Sequence, residues 1–218
     1  MSDELFKWMP QIKEFEADVE FGVIRSTFES GVEQRRLRRG REVGHWKFNF
    51  SVALLGMSTA IKVRDEILTF FKARQGGYDN FFLPSWELEA KLGSAYSSGT
   101  TITLNTDPAL LGFSATVGDQ GNLFYICETR MLSSFGNTSL KHEVRRIASM
   151  NSNAKTITFV KTGAQATDAL AYTYKIGSWV QKAYRVTFAN DNLKRSFVGG
   201  PYVWKSDIEF VEDIGDLY

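Results

Sequence analysis

The sequence predicts a mainly β protein with one packed helix and an inserted small β module. Phe and Tyr, which pack well on pleated sheets, contribute 17 and 8 of the 218 residues. Along several segments large apolar side chains alternate with polar ones, so that a strand would place the apolar ones on one face. The hydrophobic fraction of 43% supplies enough apolar surface for a core.

The clearest strand is predicted for residues 46–54, where five large side chains occupy alternate positions. These are Trp46, Phe48, Phe50, Val52 and Leu54. Residues 81–83 are all large and apolar and predict a buried strand. Pro84 indicates that this strand lies at an edge or leaves the sheet, because proline cannot donate to a sheet ladder.

A helix is predicted over about residues 59–75, because apolar residues recur there at intervals of three and four. The apolar positions are Ala60, Val63, Ile67, Phe70 and Phe71. Ser58 or Thr59 can cap its start. Gly76 and Gly77 predict its end, because glycine reaches positive φ without a Cβ clash.

The composition changes after Trp86 and changes back at Trp179. Between them, polar turn signals separate short predicted strands at residues 101–104, 123–128, 144–148 and 156–160, a spacing that favours a small barrel or sandwich. After Trp179 long aromatic strands return, with alternating Tyr184, Val186 and Phe188 and then Ile208 and Phe210. We therefore predict a discontinuous domain, residues 1–87 and 180–218, with an inserted β module at 88–179.

No catalytic, cofactor or metal-binding motif is evident, and we expect neither an enzyme nor a bound cofactor. Cys127 lies in the apolar run LFYIC and is interpreted as a small buried hydrophobe. His45 and His142 each lack a second ligand at metal-binding spacing. Glu14, Glu16, Asp18 and Glu20 alternate and could line a Ca²⁺ site, but a solvated or partner-facing strand is the simpler interpretation.

Composition narrows the possible compartments and partners. The net charge of +1 provides no overall field toward nucleic acid or membrane. A single cysteine excludes an intrachain disulfide, so a reducing cytoplasm suits the chain. We expect neither a signal peptide nor membrane insertion, because the N-terminus lacks a basic region and no apolar run approaches about 18 residues.

An arginine run is the most unusual segment, with five guanidinium groups in seven positions. They belong to Arg35, Arg36, Arg38, Arg39 and Arg41. The run could bind DNA phosphates, form a solvated loop, or bind carboxylates of a neighbouring subunit, and we favour the last. The candidate carboxylates lie in the acidic stretches 14–20 and 209–216; they are Glu16, Asp18, Glu20, Glu212 and Asp213.

Three segments in their order resemble the ring domain of bacteriophage distal tail and minor tail proteins. These are ESGVEQRRLRRGREVGHWKFNFSV, then IKVRDEILTFFKARQGGYDNFFLPSW, and the closing AYRVTFANDNLKRSFVGGPYVWKSDIEFVED. The resemblance covers about residues 20–87 and 180–213. It lies in a polar or basic strand, a W-x-F strand, a helix ending in FF-x-A-R-x-G-G, and an aromatic strand that reaches Pro and Trp.

This resemblance implies a β-sandwich or split-barrel domain that assembles into a homohexameric ring at the tail tip of a long-tailed phage. The ring would contact the tail tube protein on one side and hub, fibre or receptor-binding proteins on the other. DNA would pass transiently through its lumen. Assembly would take place in the host cytoplasm, and the inserted module would be OB-like or a sandwich.

Two other function classes compete with this interpretation. A carbohydrate-binding β module would use the five Trp and eight Tyr residues as stacking platforms, and a glycan array would discriminate it. A tail-attached glycosidase or endopeptidase would need a catalytic constellation, which the sequence does not show.

Overall fold

The computed structural model describes residues 5–6, 15–27, 33–51, 57–116, 122–128, 141–162, 167–191, 193, 196–197 and 204–212. Over these ranges it contains ten β-strands, one α-helix and one short 3-10 helix. The predicted class, mainly β with a single α-helix, is confirmed.

The strands are β1 (Phe15–Thr27), β2 (Glu33–Ser51), β3 (Phe81–Lys91), β4 (Thr101–Thr103), β5 (Leu123–Cys127), β6 (His142–Asn151), β7 (Thr156–Val160), β8 (Trp179–Phe188), β9 (Ser196–Phe197) and β10 (Trp204–Glu212). The helix α1 spans Met57–Ala73, and the 3-10 helix spans Pro108–Leu111. The strand order is β1-β2-β10-β8-β5-β6-β7-β4, with β3 paired to β8 and β9 to β10.

The four strands predicted inside the module are confirmed, with differences only at their ends. Thr156–Val160 has the predicted bounds, while the β5 strand ends at Cys127 and the β4 strand at Thr103. The β6 strand is longer than predicted, at His142–Asn151, because it pairs with β5 over its first half and β7 over its second.

The strand predicted at 46–54 is the second half of the longer β2, which begins at Glu33 because its first half pairs with β1. Residues 52–54 lie outside the described ranges. Register places Trp46 opposite Phe210 and Phe48 opposite Ile208. Because directly opposed residues share a face of an antiparallel sheet, these β2 positions share the face of two buried core residues.

The helix α1 ends at Ala73, two residues before the predicted end, in a turn that satisfies its last carbonyls. The N–H of Gly76 donates to the carbonyl of Phe71 (3.2 Å), and that of Gln75 donates to Lys72 (3.1 Å). Gln75 has φ +51° and Gly76 has φ +65°, so the left-handed stop begins one residue before the glycines. A Cβ on Gly77 would lie 2.7 Å from the carbonyl oxygen of Phe188, which explains the second glycine.

An aromatic core lies between α1 and the strands β3, β8 and β10. Its rings meet mostly edge to face, with centroids of Phe70 and Phe81 5.1 Å apart and those of Phe81 and Phe188 4.8 Å apart. The buried members of this first core are Phe6, Ile67, Phe70, Phe81, Leu83, Tyr184, Val186, Phe188, Ile208 and Phe210. The predicted alternations in β8 and β10 therefore do face a core.

A second core is enclosed by a ring of six strands. The strands β3, β8, β5, β6, β7 and β4 pair in that order. The ring closes where the N–H of Gly93 donates to Thr103 (2.8 Å) and the N–H of Asn105 donates to Lys91 (2.9 Å). Inside lie apolar side chains from every strand, including Phe124, Ile126, Ile157, Phe159 and Val180.

A third, smaller cluster occupies the other face of β8 and β5, and it joins residues on both sides of the predicted domain boundaries. Its members are Leu5, Phe82, Leu123, Tyr125, Cys127, Val144 and Ala183. The strands β3 and β8 also run through the boundaries at 87/88 and 179/180. The division into a discontinuous domain and an inserted module stays a prediction.

We predict that replacing residues 91–179 by a short Gly/Ser linker leaves a protein that still unfolds cooperatively but at a lower temperature. The ends are adjacent because Ala90 pairs with Val180, and the first core is untouched. Phe82 and Ala183 lose the residues that cover them. Thermal melts followed by circular dichroism test this, and a melt without any cooperative step would show that the cores form one unit.

Candidate functional site

The arginine run lies in a two-stranded ribbon and not in a loop. The strand β10 pairs with β2 only over residues 45–51, whereas β1 pairs with β2 as far as Glu33. Residues 20–27 and 33–44 thus form the basic ribbon, which pairs with no third strand in the described part of the chain. Its twelve β2 residues extend about 40 Å at about 3.3 Å each.

Three of the five arginines lie in an irregularity of the basic ribbon. Phe21 pairs with Glu42 and Val23 with Leu37, so the four β2 residues 38–41 face only Gly22 on β1. These four residues, RRGR, form what we call the arginine bulge. Bulges twist a strand pair and redirect its side chains, and they are frequent at interaction sites.

Register places a second cation directly opposite the first arginine of the run. Arg35 lies directly opposite Arg25, and like charges in this position destabilise a strand pair. Arg36 lies opposite Ile24.

Two of the acidic candidates on β1 instead lie opposite a lysine and a histidine of their own chain. Glu16 is opposite Lys47, and Asp18 is opposite His45. Glu20, at the base of the basic ribbon, is opposite Val43, while Glu14 lies outside the described ranges. Within those ranges, no group of three or more His, Cys, Asp or Glu side chains is arranged to hold a metal ion.

The acidic candidates near the C-terminal end differ in accessibility. Glu212 is 7% exposed, so its carboxylate is not available to a neighbour without a rearrangement. Glu209 lies opposite Lys47 and accepts a hydrogen bond from the Asn190 amide at 3.1 Å. Asp213 lies outside the described residues. Register thus brings Glu16 and Glu209 to either side of Lys47, and the burial of Glu212 argues against its role as a contact.

Cys127 is buried, as predicted, and lies directly opposite His142 on β6. Burial raises the pKa of the Cys127 thiol to about 11, and this effect exceeds the lowering effect of the nearby Tyr125 hydroxyl. The thiol is therefore protonated at neutral pH. Because the thiolate is the nucleophile, this Cys–His pair does not supply an activated group.

The strand β6 carries a buried ion pair that the sequence patterns did not predict. Arg145 Nη2 lies 2.6 Å from Glu143 Oε2, and both side chains are buried. The same carboxylate accepts hydrogen bonds from the N–H groups of Ala171 (2.9 Å) and Tyr172 (3.1 Å) and from the Tyr174 hydroxyl (3.1 Å). The signal was present in HEVRRI, where two charged residues share a face with Ile147.

This ion pair fastens the segment 169–174 across the end of the second core. Arg145 also donates to the carbonyl of Ala169 at 3.0 Å, so both partners hold the same segment. Burial, followed by the nearby Glu143 carboxylate, raises the pKa of Tyr174, which keeps its hydroxyl protonated as a donor. The ion pair is therefore a structural contact, because both oxygens of the Glu143 carboxylate already accept hydrogen bonds from donors of the same chain.

Among the described residues, the exposed aromatic side chains that could stack on a sugar are far apart in the sequence. Tyr78 is 80% exposed and Tyr172 is 46% exposed. The ring of Trp179 is covered by the Lys91 ammonium, which lies 4.4 Å from its centroid. Trp179 is therefore not an open stacking platform.

The chain matches no model of a protein family, and no curated protein is similar to it. The resemblance to phage tail proteins accordingly depends on the sequence motifs themselves. Across the described residues, no helix is long and apolar enough to cross a membrane.

We predict that Glu143→Gln destabilises the protein by about 3–5 kcal/mol, because it leaves the Arg145 charge buried without its partner. Calorimetric or chemical unfolding measures the loss. Glu128→Gln, at a half-buried position just after β5, is the matched control and should leave the melting temperature almost unchanged. The double variant Glu143→Gln with Arg145→Met should recover part of the loss, and no recovery would contradict the charge argument.

We predict that Cys127 reacts with thiol reagents at pH 8 only after the protein unfolds, because the native thiol is buried and has a pKa of about 11. The native state holds this thiol proton more tightly than the unfolded state does. The free energy of unfolding therefore falls as pH rises from about 9 through 11. Reagent kinetics with and without denaturant measure the accessibility. Fast labelling of the folded protein would contradict the burial.

Proposed function

We propose that this protein is a structural component of a phage tail tip. It forms a ring between the tail tube and the hub or receptor-binding proteins, and the family resemblance implies six subunits. The observation that carries the proposal is the course of the strand β2. Its segment EQRRLRRGREVGHWKFNFS carries the family resemblance, and it continues as one strand from the shared sheet into the basic ribbon. DNA would pass through the lumen of such a ring.

The geometry of the sheet supports assembly through strand edges. The strand β1 ends the strand order and pairs only with β2 among the described strands. A 13-residue strand with an unpaired edge is an aggregation hazard in a soluble monomer. Closing a ring of identical subunits would cover such edges by pairing each copy with its neighbour.

The basic ribbon supplies charge for the same assembly. In the strand register Arg35 lies opposite Arg25, which adds a sixth cation, and Arg36 lies opposite Ile24. Planar guanidinium groups bind carboxylates through paired hydrogen bonds, so acids of a neighbouring subunit or tail protein are suitable partners. In this proposal DNA contacts the arginines at most transiently, as it passes through the lumen.

A non-enzymatic role agrees with the chemistry of the candidate groups. The Cys127 thiol is buried and protonated, and the Glu143 carboxylate is saturated by donors of its own chain. A carbohydrate-binding role is the alternative, and the exposed Tyr78 ring is the observation in its favour. Binding on a glycan array that is lost with Tyr78→Ala would favour this alternative.

We predict that the purified protein forms closed rings of six subunits, because a ring pairs every β1 edge. Native mass spectrometry and negative-stain images measure the number, with a tail tube or hub protein added as a template if the protein alone stays small. Rings of another closed symmetry would refute the number. A strict monomer at high concentration, even with the template, would refute the ring.

We predict that changing Arg35, Arg36, Arg38 and Arg39 together to Ser abolishes assembly and leaves the monomer's melting temperature almost unchanged. Single substitutions should do little, because one exposed ion pair contributes only about 0–1 kcal/mol. Wild-type assembly should also weaken as the salt concentration rises, because screening shortens the range of the interaction between exposed charges to about 8 Å at physiological ionic strength.

The control for this variant changes three exposed lysines outside the ribbon, Lys72, Lys161 and Lys175, to Ser and should assemble normally. Size-exclusion chromatography with light scattering compares the proteins. If the arginine variant assembles normally but filled particles lose DNA retention, the arginines serve the lumen and not the subunit contact.

A further inference from the structure

The turn between α1 and β3, residues 74–80, carries the most exposed large hydrophobic side chain in the described part of the chain. We call it the tyrosine turn, because this side chain is that of Tyr78, which is 80% exposed. An exposed tyrosine is a frequent centre of protein contacts, because its ring offers a large apolar area and only two side-chain torsions are fixed on binding. The tyrosine turn is therefore a candidate contact surface.

The backbone of the tyrosine turn is held in place by hydrogen bonds. The Asp79 N–H donates to the Arg74 carbonyl at 3.1 Å, and the Gly77 N–H donates to Asp191 Oδ1 at 3.1 Å. A Cβ on Gly77 would lie 3.3 Å from the same carboxylate oxygen, so the turn packs directly against the segment that follows β8. Because this backbone is already ordered, a partner would bind the tyrosine ring without the cost of ordering a loop.

Two carboxylates lie beside the exposed ring. Asp79 directly follows Tyr78, and Asp191 accepts a hydrogen bond from the residue that precedes it. Asp191 is exposed, and the Asp79 side chain is 40% exposed, with its Oδ2 3.8 Å from Arg74 Nη1. A guanidinium group stacks on aromatic rings and donates to carboxylates through its planar fork, so one arginine can use both kinds of group. The tyrosine turn therefore fits a partner rich in arginine.

The chain itself supplies such a partner, but toward the opposite end of the sheet. Register aligns Trp46, Phe210 and Phe188 at one level of the sheet. From this level the basic ribbon runs toward the side on which Val186 lies, whereas the tyrosine turn lies beyond Phe188 on the other side. Arg41, the nearest residue of the arginine bulge, is five residues from Trp46, about 17 Å at about 3.3 Å per residue. The arginine bulge therefore lies away from the tyrosine turn of its own chain.

We propose that the tyrosine turn of one subunit binds the arginine bulge of the next, with a guanidinium group on the Tyr78 ring and its fork toward Asp79 or Asp191. The inference rests on the proposed function in one respect, namely that copies of the chain assemble. Complementary surfaces at opposite ends of one sheet make a head-to-tail contact, and such contacts close into a ring when the rotation between subunits allows it. This contact gives the arginine bulge a defined partner on the neighbouring subunit, other than the acidic stretches predicted from the sequence.

The first test is photo-crosslinking from the tyrosine turn. Full-length protein with Tyr78→p-benzoylphenylalanine is mixed with wild-type protein labelled with heavy nitrogen, assembled with the tail tube or hub protein as a template if needed, and irradiated. Digestion after glutamate leaves residues 34–42, with all five arginines of the run, in one peptide. We expect the unlabelled photoreactive residue to be linked to this labelled peptide. The same photoreactive residue in place of Leu110, which is 73% exposed, is the control and should not give this link.

The second test uses a synthetic peptide of residues 33–44 and does not require assembly. Its dissociation constant is measured by fluorescence anisotropy with full-length wild-type, Tyr78→Ala and Tyr78→Phe proteins. Tyr78→Ala should weaken binding about five- to thirtyfold, as expected for the loss of a cation on an aromatic ring, and Tyr78→Phe should retain most of the binding. Tyr172→Ala, at another exposed tyrosine, is the matched control and should bind as the wild type does. A peptide with lysine in place of the arginines of the arginine bulge should bind more weakly, because lysine lacks the planar fork.

The outcomes separate this contact from the ring. Rings that form without the link from position 78 to residues 34–42 would leave the ring standing and overturn the contact. Peptide binding that depends on Tyr78, in a protein that stays monomeric even with the template, would keep the contact and overturn the ring. If the peptide does not bind, or binds Tyr78→Ala as tightly as the wild type, the contact is wrong. Glycan binding that Tyr78→Ala abolishes would then assign the tyrosine turn to the carbohydrate alternative.

Discussion

The strand β8 is the element on which the other parts of this structure depend. One of its edges pairs with β3 along nearly its whole length, whereas the other pairs with β5 over residues 179–183 and with β10 over residues 186–188. One face of the same strand carries Val180 into the second core and Phe188 into the first. Because its backbone and side chains serve both cores, neither half of the molecule closes without it.

The first core is completed by an aromatic residue that precedes all of its strands and its helix in the sequence. Aromatic rings that meet edge to face gain attraction beyond the burial of their area. Phe6 lies in the middle of such a cluster, because its ring contacts the rings of Phe70, Phe81, Phe188 and Phe210. One fully buried side chain from outside α1, β3, β8 and β10 therefore joins these four elements.

Charges have opposite roles in the buried ion pair and in the basic ribbon. Inside the six-stranded ring, Glu143 and Arg145 are removed from water, and their mutual hydrogen bonds offset the cost of desolvation. In the basic ribbon, Arg35 faces Arg25 across the strand pair, so the charges oppose each other. The arrangement around Glu143 is complete within one chain, because all the donors that its carboxylate accepts from belong to that chain.

The sequence by itself determined the elements whose signals are local. Alternation in β8 and β10, the helical spacing of Ile67 and Phe70, and the turn residues around β7 each depend on a few neighbouring side chains. Only the tertiary structure decided which distant segments meet: the early start of β2 along β1, the closure of β3 onto β4, the placement of Phe6, and the donors around Glu143. The physical reason is that hydrogen bonds and ring contacts between distant residues leave no periodic pattern in the chain, whereas a buried face repeats with the period of its strand or helix.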